Sequence, residues 1–233
     1  MDHIDLHSID ADGAIAEGHA AAEEARNSGD TRMSFLRKGA LAGGAALSGG
    51  AILGALLPGS ALAAQVGRPP ASFGAGDIGI LNYALTLEYL ESSFYNAASK
   101  NNIAKGDKLL TAILKTTVKD ENAHVKFLKG ALGSKAIASP KFSFGKAVTD
   151  KATFAATAYV LENTGVHAYL GQAGNITTPA YLLAAASIVT VEARHSGALG
   201  VYLGKAIAPT TRDTGYPASK VLAAVKGTGF IVS

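Results

Sequence analysis

The chain of 233 residues contains no cysteine and no tryptophan, and only 17% of its residues are charged. Without cysteine the protein forms no disulfide and has neither a thiolate metal site nor a cysteine nucleophile. The sequence also lacks strand-like alternation and glycine-rich phosphate-binding motifs, so it favours neither β-structure nor nucleotide binding. Apolar residues make up 48%, and the length suffices for one domain with appended segments.

Glutamate is scarce in the larger part of the chain. From Ala64 onward there are 17 Lys and Arg but only ten acids, of which five are Glu, whereas residues 1–30 hold eight acids and one base. The overall pI near 9.0 is compatible with nucleic-acid binding. The lysines are scattered, however, and no basic cluster contains aromatic residues, so we expect no nucleic-acid partner.

The N-terminal part has the pattern of a targeting segment. Residues 1–30 are acidic and rich in Ala and Gly, which predicts disorder or weak helicity. A basic patch at 31–38, an apolar run at 39–57 and a small-x-small site before Ala64 then follow in the order of a secretory signal. We therefore expect residues 1–63 to be an extension with a signal, and the protein to be periplasmic, in the cell envelope or extracellular.

The basic patch resembles a twin-arginine signal. The residues that match the pattern are Thr31, Arg32, Phe35 and Leu36, whereas Met33 stands where the second arginine belongs. Both the twin-arginine route and the general secretory route therefore stay open. The alternative is an uncleaved membrane anchor, since about 20 apolar residues span a bilayer, but six glycines in the apolar run disfavour it.

The remainder predicts an all-α domain. After a linker at 64–76, the apolar periodicity predicts four helices that together form a bundle at 77–204. Their expected bounds are 77–99, 107–132, 150 to 171–174, and 178–204. Asp77 is the expected N-cap of the first, and Thr178 with Pro179 is expected to begin the fourth. In the tail at 205–233, residues 219–226 predict one short helix.

Each predicted helix has a mostly apolar or small inward stripe that is interrupted near its middle by one glutamate. Burying an unpaired carboxylate costs several kcal/mol, so four such interruptions need an explanation. Two of these glutamates are followed three residues later by histidine, on the same helical face, where the pair can hold one metal ion. The layout is that of dinuclear carboxylate bundles. The predicted metal ligands are Glu88, Glu121, His124, Glu162, Glu192 and His195.

Other polar residues near these positions have more than one interpretation. The glutamates could instead pair with lysines on outer faces or form a metal-free polar network. Glu91 is interpreted as an outward residue with a lysine partner, the alternative being a seventh ligand, and His167 as a surface or core-edge residue. Tyr95 and Tyr169 could bond ligand carboxylates, relay electrons, or simply fill the core.

Four segments resemble the ferritin-like family that includes exported bacterial ferritin-like proteins and plant desiccation-related proteins. They are residues 80–91, 120–124, 161–163 and 191–195. The resemblance extends over residues 77–225. It implies a ferritin-like four-helix bundle with a long crossover between its helix pairs, at the segment that contains Pro140.

Carboxylate and imidazole ligands suit Fe(II) or Mn(II), and two ions per chain are expected. The leading hypothesis is a ferroxidase-type oxidoreductase that uses O2 or peroxide. Glu88 with Glu121 and His124 would hold one metal, and Glu162 with Glu192 and His195 the other, with one or two bridging glutamates.

Three alternatives to this function remain. One is a metal-stabilised structural or stress-protection protein without turnover, another is a manganese catalase-like enzyme, and iron storage in a cage is disfavoured by export. Besides metal ions and O2 or peroxide, a second copy of the chain is a possible partner. The membrane is a partner only through the signal or anchor segment.

Overall fold

The computed structural model describes residues 67–232. The acidic segment, the basic patch, the apolar run and the cleavage site before Ala64 all lie outside the described residues. Within them, none of the helices combines the length and apolarity that crossing a membrane requires.

Four long helices form the bundle that the periodicity predicts. They are α1 (Gly76–Lys100), α2 (Lys108–Leu132), α3 (Lys151–Ala173) and α4 (Pro179–Tyr202). Helices α1 and α2 pack as one pair and α3 and α4 as the other, while α1 also contacts α3 and α2 contacts α4. Residues 133–150 connect the two pairs, as the long crossover containing Pro140. The fold is therefore an all-α ferritin-like bundle.

The helix starts depend on side chains that accept backbone N–H groups. Asp107 caps α2 by accepting from Leu110 N at 3.0 Å, and Asp150 caps α3 by accepting from Thr153 N at 2.8 Å. Each bond satisfies a donor that the first helical turn leaves without an intrahelical partner. The bounds of both helices therefore follow from local sequence.

The expectation that Asp77 caps α1 is wrong. Ala75 occupies that N-cap position, and Asp77 lies within the first turn of α1. The Asp77 carboxylate instead accepts from the backbone N–H groups of Thr177, at 3.0 Å, and Thr178, at 2.8 Å. Thr178 is the N-cap residue of α4 and Pro179 follows it, but the Thr178 side chain makes no capping bond. Asp77 thus caps α4 from the other helix pair.

The core consists of two apolar clusters along the bundle. One contains Phe94, Phe154 and Leu199, and the other contains Leu85, Leu128 and Ile188. On each helix a residue of one cluster precedes the predicted glutamate and a residue of the other follows it, as Leu85 and Phe94 do around Glu88, although the two sets interleave along α1. The four glutamates therefore share one level of the bundle, with apolar side chains on both sides.

The C-terminal tail packs back on the bundle. Helix α5 (Ala218–Gly227) contacts α3, where a short helix at 219–226 is expected from the sequence. The Tyr216 N–H donates to the His167 carbonyl, and a side chain at Gly171 would collide with the Tyr216 carbonyl. Close approach of the tail to α3 therefore depends on a glycine at position 171.

We predict that Asp77→Ala lowers the free energy of unfolding by about 1 kcal/mol, because it removes the cap of α4. The hydrogen bonds from Thr177 and Thr178 outweigh the effect of partial burial and lower the Asp77 pKa. The contribution is therefore present at pH 7 and is lost as the pH falls below the unfolded value of 3.8. Urea denaturation at several pH values measures it. Asp213→Ala, at an exposed site, is the control, and equal losses in both variants would contradict the assignment.

Candidate metal centre

The structure brings all six predicted ligands together in the middle of the bundle. Glu88, Glu121, Glu162 and Glu192 are 0% exposed, one from each long helix, and His124 and His195 are 8% and 4% exposed. Each of these residues lies on the inward stripe predicted for its helix. The interpretation in which the glutamates pair with lysines on outer faces is therefore wrong.

The six side chains form two overlapping groups of four. In one group, Glu88 and His124 meet Glu121 and Glu192; in the other, Glu162 and His195 meet the same two glutamates. Within each group one ligand atom per residue lies within 4.8 Å of all the others. From the sequence one or two bridging glutamates are expected without being identified, and the structure places Glu121 and Glu192 in both groups. A pair of ions held here would share two carboxylates.

Both histidines direct Nδ1 at the carboxylates. His124 Nδ1 lies 3.1 Å from Glu192 Oε1 and 3.2 Å from Glu88 Oε2. His195 Nδ1 lies 3.1 Å from Glu121 Oε1 and 3.3 Å from Glu162 Oε2. One nitrogen thus faces several oxygens, without a well-directed hydrogen bond to any of them. This convergence is the arrangement in which a cation can be held by all of these atoms at once.

The lack of hydrogen-bond partners supports a metal in this cluster. In the described part of the chain, ten buried side-chain atoms have no hydrogen-bond partner, and nine of them belong to the six predicted ligands and Glu91. Buried polar atoms are normally paired, because leaving one unpaired costs about 1–3 kcal/mol. A cation coordinated by these oxygens and nitrogens would satisfy them, so the residues present fit a metal site.

Two tyrosines cross-link the helix pairs through the ligand carboxylates. Tyr95 on α1 donates to Glu162 on α3, and Tyr169 on α3 donates to Glu88 Oε1 on α1 at 2.5 Å. Each tyrosine therefore leaves the second oxygen of its glutamate to face the cluster. The sequence left several roles open for Tyr95 and Tyr169. The structure supports the one in which their hydroxyls donate hydrogen bonds to ligand carboxylates.

Asp120 is a functional candidate that sequence reasoning missed. Its Oδ2 lies 3.3 Å from Nε2 of His195 and so accepts from that nitrogen. With Nε2 as the donor, His195 presents the lone pair of Nδ1 to the cluster, which is the form a metal requires. The contact joins α2 to α4, so the periodicity of a single helix contains no signal for it.

Glu91 is also part of this layer, and its interpretation as an outward residue with a lysine partner is wrong. It is 3% exposed, and among the described residues no ion pair joins it to a lysine. Its Oε2 is one of the buried atoms without a partner. All five glutamates that follow Ala64 are consequently inside the bundle.

Burial and mutual repulsion dominate the electrostatics of the metal-free cluster. Burial, together with the neighbouring carboxylates, raises the pKa of Glu91 and Glu192 well above the ordinary value. Burial disfavours a charged His195, but the adjacent Glu121 and Glu162 carboxylates outweigh it and raise the His195 pKa to about 11. Protons thus compensate the buried charge, and a metal that binds there must displace them.

His167 and Arg194 lie outside the cluster. His167 Nδ1 donates to the Thr214 carbonyl, 2.6 Å away, and the ring stacks on Tyr216, in agreement with its interpretation as a core-edge residue. Arg194 is exposed, and among the described residues no ion pair joins it to an acid. It lines a recess of about 260 Å³ between α2 and α4 that reaches His195. Of the six predicted ligands, His195 alone lines this recess.

The comparison with protein families agrees with this geometry. The model of the ferritin-like domain family matches residues 76–205, more than half of the chain and all six predicted ligands. A comparison with curated proteins finds no match.

We predict that Tyr169→Phe lowers the unfolding free energy of the metal-free protein by about 1–3 kcal/mol, because Glu88 loses its buried donor. Tyr83→Phe is the matched control, since the Tyr83 hydroxyl is buried without a partner and its removal should be neutral or stabilising. Urea denaturation of both variants in the presence of a chelator measures the difference. A loss at Tyr83 as large as that at Tyr169 would contradict the role given to the Tyr169–Glu88 bond.

Proposed function

Because the chain belongs to the ferritin-like domain family, we propose that its buried cluster binds a dinuclear iron or manganese centre for oxidation chemistry with O2 or peroxide. The observation that carries this proposal is the pair of overlapping four-residue groups with unpartnered ligand atoms. Glu88 and His124 would hold one ion, Glu162 and His195 the other, and Glu121 and Glu192 both. Carboxylate oxygens with imidazole nitrogens favour Fe(II) and Mn(II).

When bound, two redox-active ions supply electrons to O2 or peroxide, which is the chemistry the protein alone lacks. The chain supplies position and environment. Tyr95 and Tyr169 orient two of the carboxylates by hydrogen bonds, and Asp120 holds the tautomer and ring orientation of His195. The apolar clusters on either side exclude water from the carboxylates, which strengthens their attraction for a cation. The recess of about 260 Å³ beside His195 has room for a small oxidant.

A second candidate is a metal-stabilised structural or stress-protection protein with no turnover. The observation that favours it is the same set of unpaired buried atoms. A ligand that binds only the folded state stabilises it by mass action, so a metal would strengthen the bundle even without a reaction. The two candidates differ in one respect, since only the first predicts oxidation of a substrate or of the metal itself.

We expect about two Fe or Mn per chain by elemental analysis of the purified protein, the stoichiometry of a dinuclear centre. Addition of Fe(II) in air should then give the near-ultraviolet absorption of oxidised iron, much faster than in buffer alone. Glu121→Ala should abolish this rise because it removes a carboxylate shared by both groups. The measurement is stopped-flow absorption together with a metal titration.

His167→Ala is the control for these experiments, because His167 contacts the tail and not the cluster. It should bind and oxidise iron like the parent protein. Identical traces for Glu121→Ala and the parent would contradict the proposal. Metal binding that raises the melting temperature, with flat oxidation and peroxide assays, would favour the structural role. Rapid O2 release from peroxide by the manganese-loaded protein would instead identify a catalase-like activity.

We further propose that the protein is exported and that its targeting segment is removed. The support is the order of basic patch, apolar run and small-x-small site in residues 31–63. Since metal and oxidant supply differ between compartments, export determines which ion the cluster meets.

The mature protein is therefore expected to begin at Ala64. Mass spectrometry of the N-terminal peptide, from protein recovered outside the cytoplasmic membrane, checks this. Substitution of Ala61 and Ala63 by Leu should block cleavage, because signal peptidases require small residues there. An intact N-terminus in the mature protein would support the membrane-anchor alternative and refute removal.

A further inference from the structure

Helices α1 and α3 present their polar residues in the same register. Glu88 and Tyr95 are seven residues apart on α1, and so are Glu162 and Tyr169 on α3. Each tyrosine donates to the glutamate of the other helix, so the two helices are related like halves of an internal repeat. In this register Glu91 corresponds to Gly165. Glu91 on α1 thus corresponds to a residue on α3 that has no side chain.

Gly165 provides the space that this acid needs. A Cβ atom at Gly165 would lie 3.1 Å from Glu192 Oε2 and 3.5 Å from Glu91 Oε1. Both oxygens therefore lie against the bare backbone of α3, and a larger residue at position 165 would crowd them. Glu91 is on the same helix as Glu88, but the acid that acts on it most strongly is Glu192, followed by Glu162. It belongs to the side of the cluster where Glu162 lies.

The fifth carboxylate changes the charge that the cluster can compensate. The four glutamates of the two groups carry four negative charges when ionised, which equals the charge of two divalent ions. With Glu91 the acids number five, which equals the charge of one divalent and one trivalent ion. Because the site is buried, uncompensated charge is costly, so a fifth carboxylate favours a more highly charged pair.

We propose that Glu91 is an additional carboxylate ligand for the metal position formed by Glu121, Glu162, Glu192 and His195, and that it adapts this position to a trivalent cation. The geometry that carries this is the Glu91 carboxylate, which is 3% exposed, has an unpartnered Oε2, and lies with Glu192 against Gly165. The inference rests on the proposed dinuclear function. The centre is then asymmetric, with one position of higher negative charge than the other.

Anaerobic binding of Mn²⁺ and binding of Tb³⁺, which has no accessible redox chemistry, test this in the parent and in Glu91→Gln. Since the chain has no tryptophan, ultraviolet-sensitised Tb³⁺ emission reports on tyrosines near the bound ion, and calorimetry gives Mn²⁺ affinity and stoichiometry. The variant should lose at least about tenfold in Tb³⁺ affinity. Its loss for Mn²⁺ should be smaller, because the Coulomb energy grows with the charge of the ion.

Asp213→Asn, which removes an acid at an exposed site, is the matched control and should change neither affinity. Glu91→Asp keeps the charge on a shorter side chain and should bind Tb³⁺ more tightly than Glu91→Gln. Glu91→Ala also removes the carboxylate, so the test stands even if the glutamine variant does not fold. Circular dichroism establishes which variants are folded.

The outcomes separate this inference from the function on which it rests. A parent protein that binds fewer than two Mn²⁺ per chain would contradict the dinuclear function. Two Mn²⁺ in the parent, with unchanged affinities for both ions in Glu91→Gln, or in Glu91→Ala should the former not fold, would overturn the role of Glu91 alone. Equal losses for Mn²⁺ and Tb³⁺ in Glu91→Gln would overturn the trivalent preference.

Discussion

The burial of five carboxylates and two imidazoles at one level of an apolar bundle is the constraint on which the rest of the structure depends. Each ionised group loses water that a protein interior does not replace, and five like charges repel one another. The surrounding features act against this cost. Histidines face the acids, tyrosines donate to two of them, and apolar layers on both sides keep the helices in contact. A pair of cations would complete this compensation.

The contacts that stabilise this level run between helices and not along them. Tyr95 and Tyr169 join α1 to α3, and Asp120 joins α2 to α4 through His195. Outside the cluster, Asp77 joins the start of α1 to that of α4. These bonds fix the relative height of the four helices, which apolar packing alone specifies only loosely. Correct alignment of the ligands is therefore a property of the assembled bundle.

Features that depend on one helix at a time are predictable from the sequence. The caps at Asp107 and Asp150 act on residues three positions away, and the inward stripes follow from the 3.6-residue period. That period was sufficient to predict that the six ligand residues lie at one level of the bundle. It failed for Asp77, whose partners are 100 and 101 residues distant. It failed too for Glu91 and Asp120, whose surroundings are supplied by other helices.

Glu91 also shows why the stripe was too narrow a criterion on α1. This helix is buried on nearly all sides, with 17 of its 25 residues inside the protein. A residue that lies off the main stripe of α1 can therefore still be buried. On α2, which is exposed along one face and rich in lysine, alternate steps of four and three residues from Leu110 reach every buried residue except Ile113 and Leu132. The number of neighbours around a helix therefore decides how far its periodicity can be trusted. Where a helix is surrounded, scarcity of a residue type is the better guide, and in this chain every scarce glutamate after Ala64 belongs to the interior.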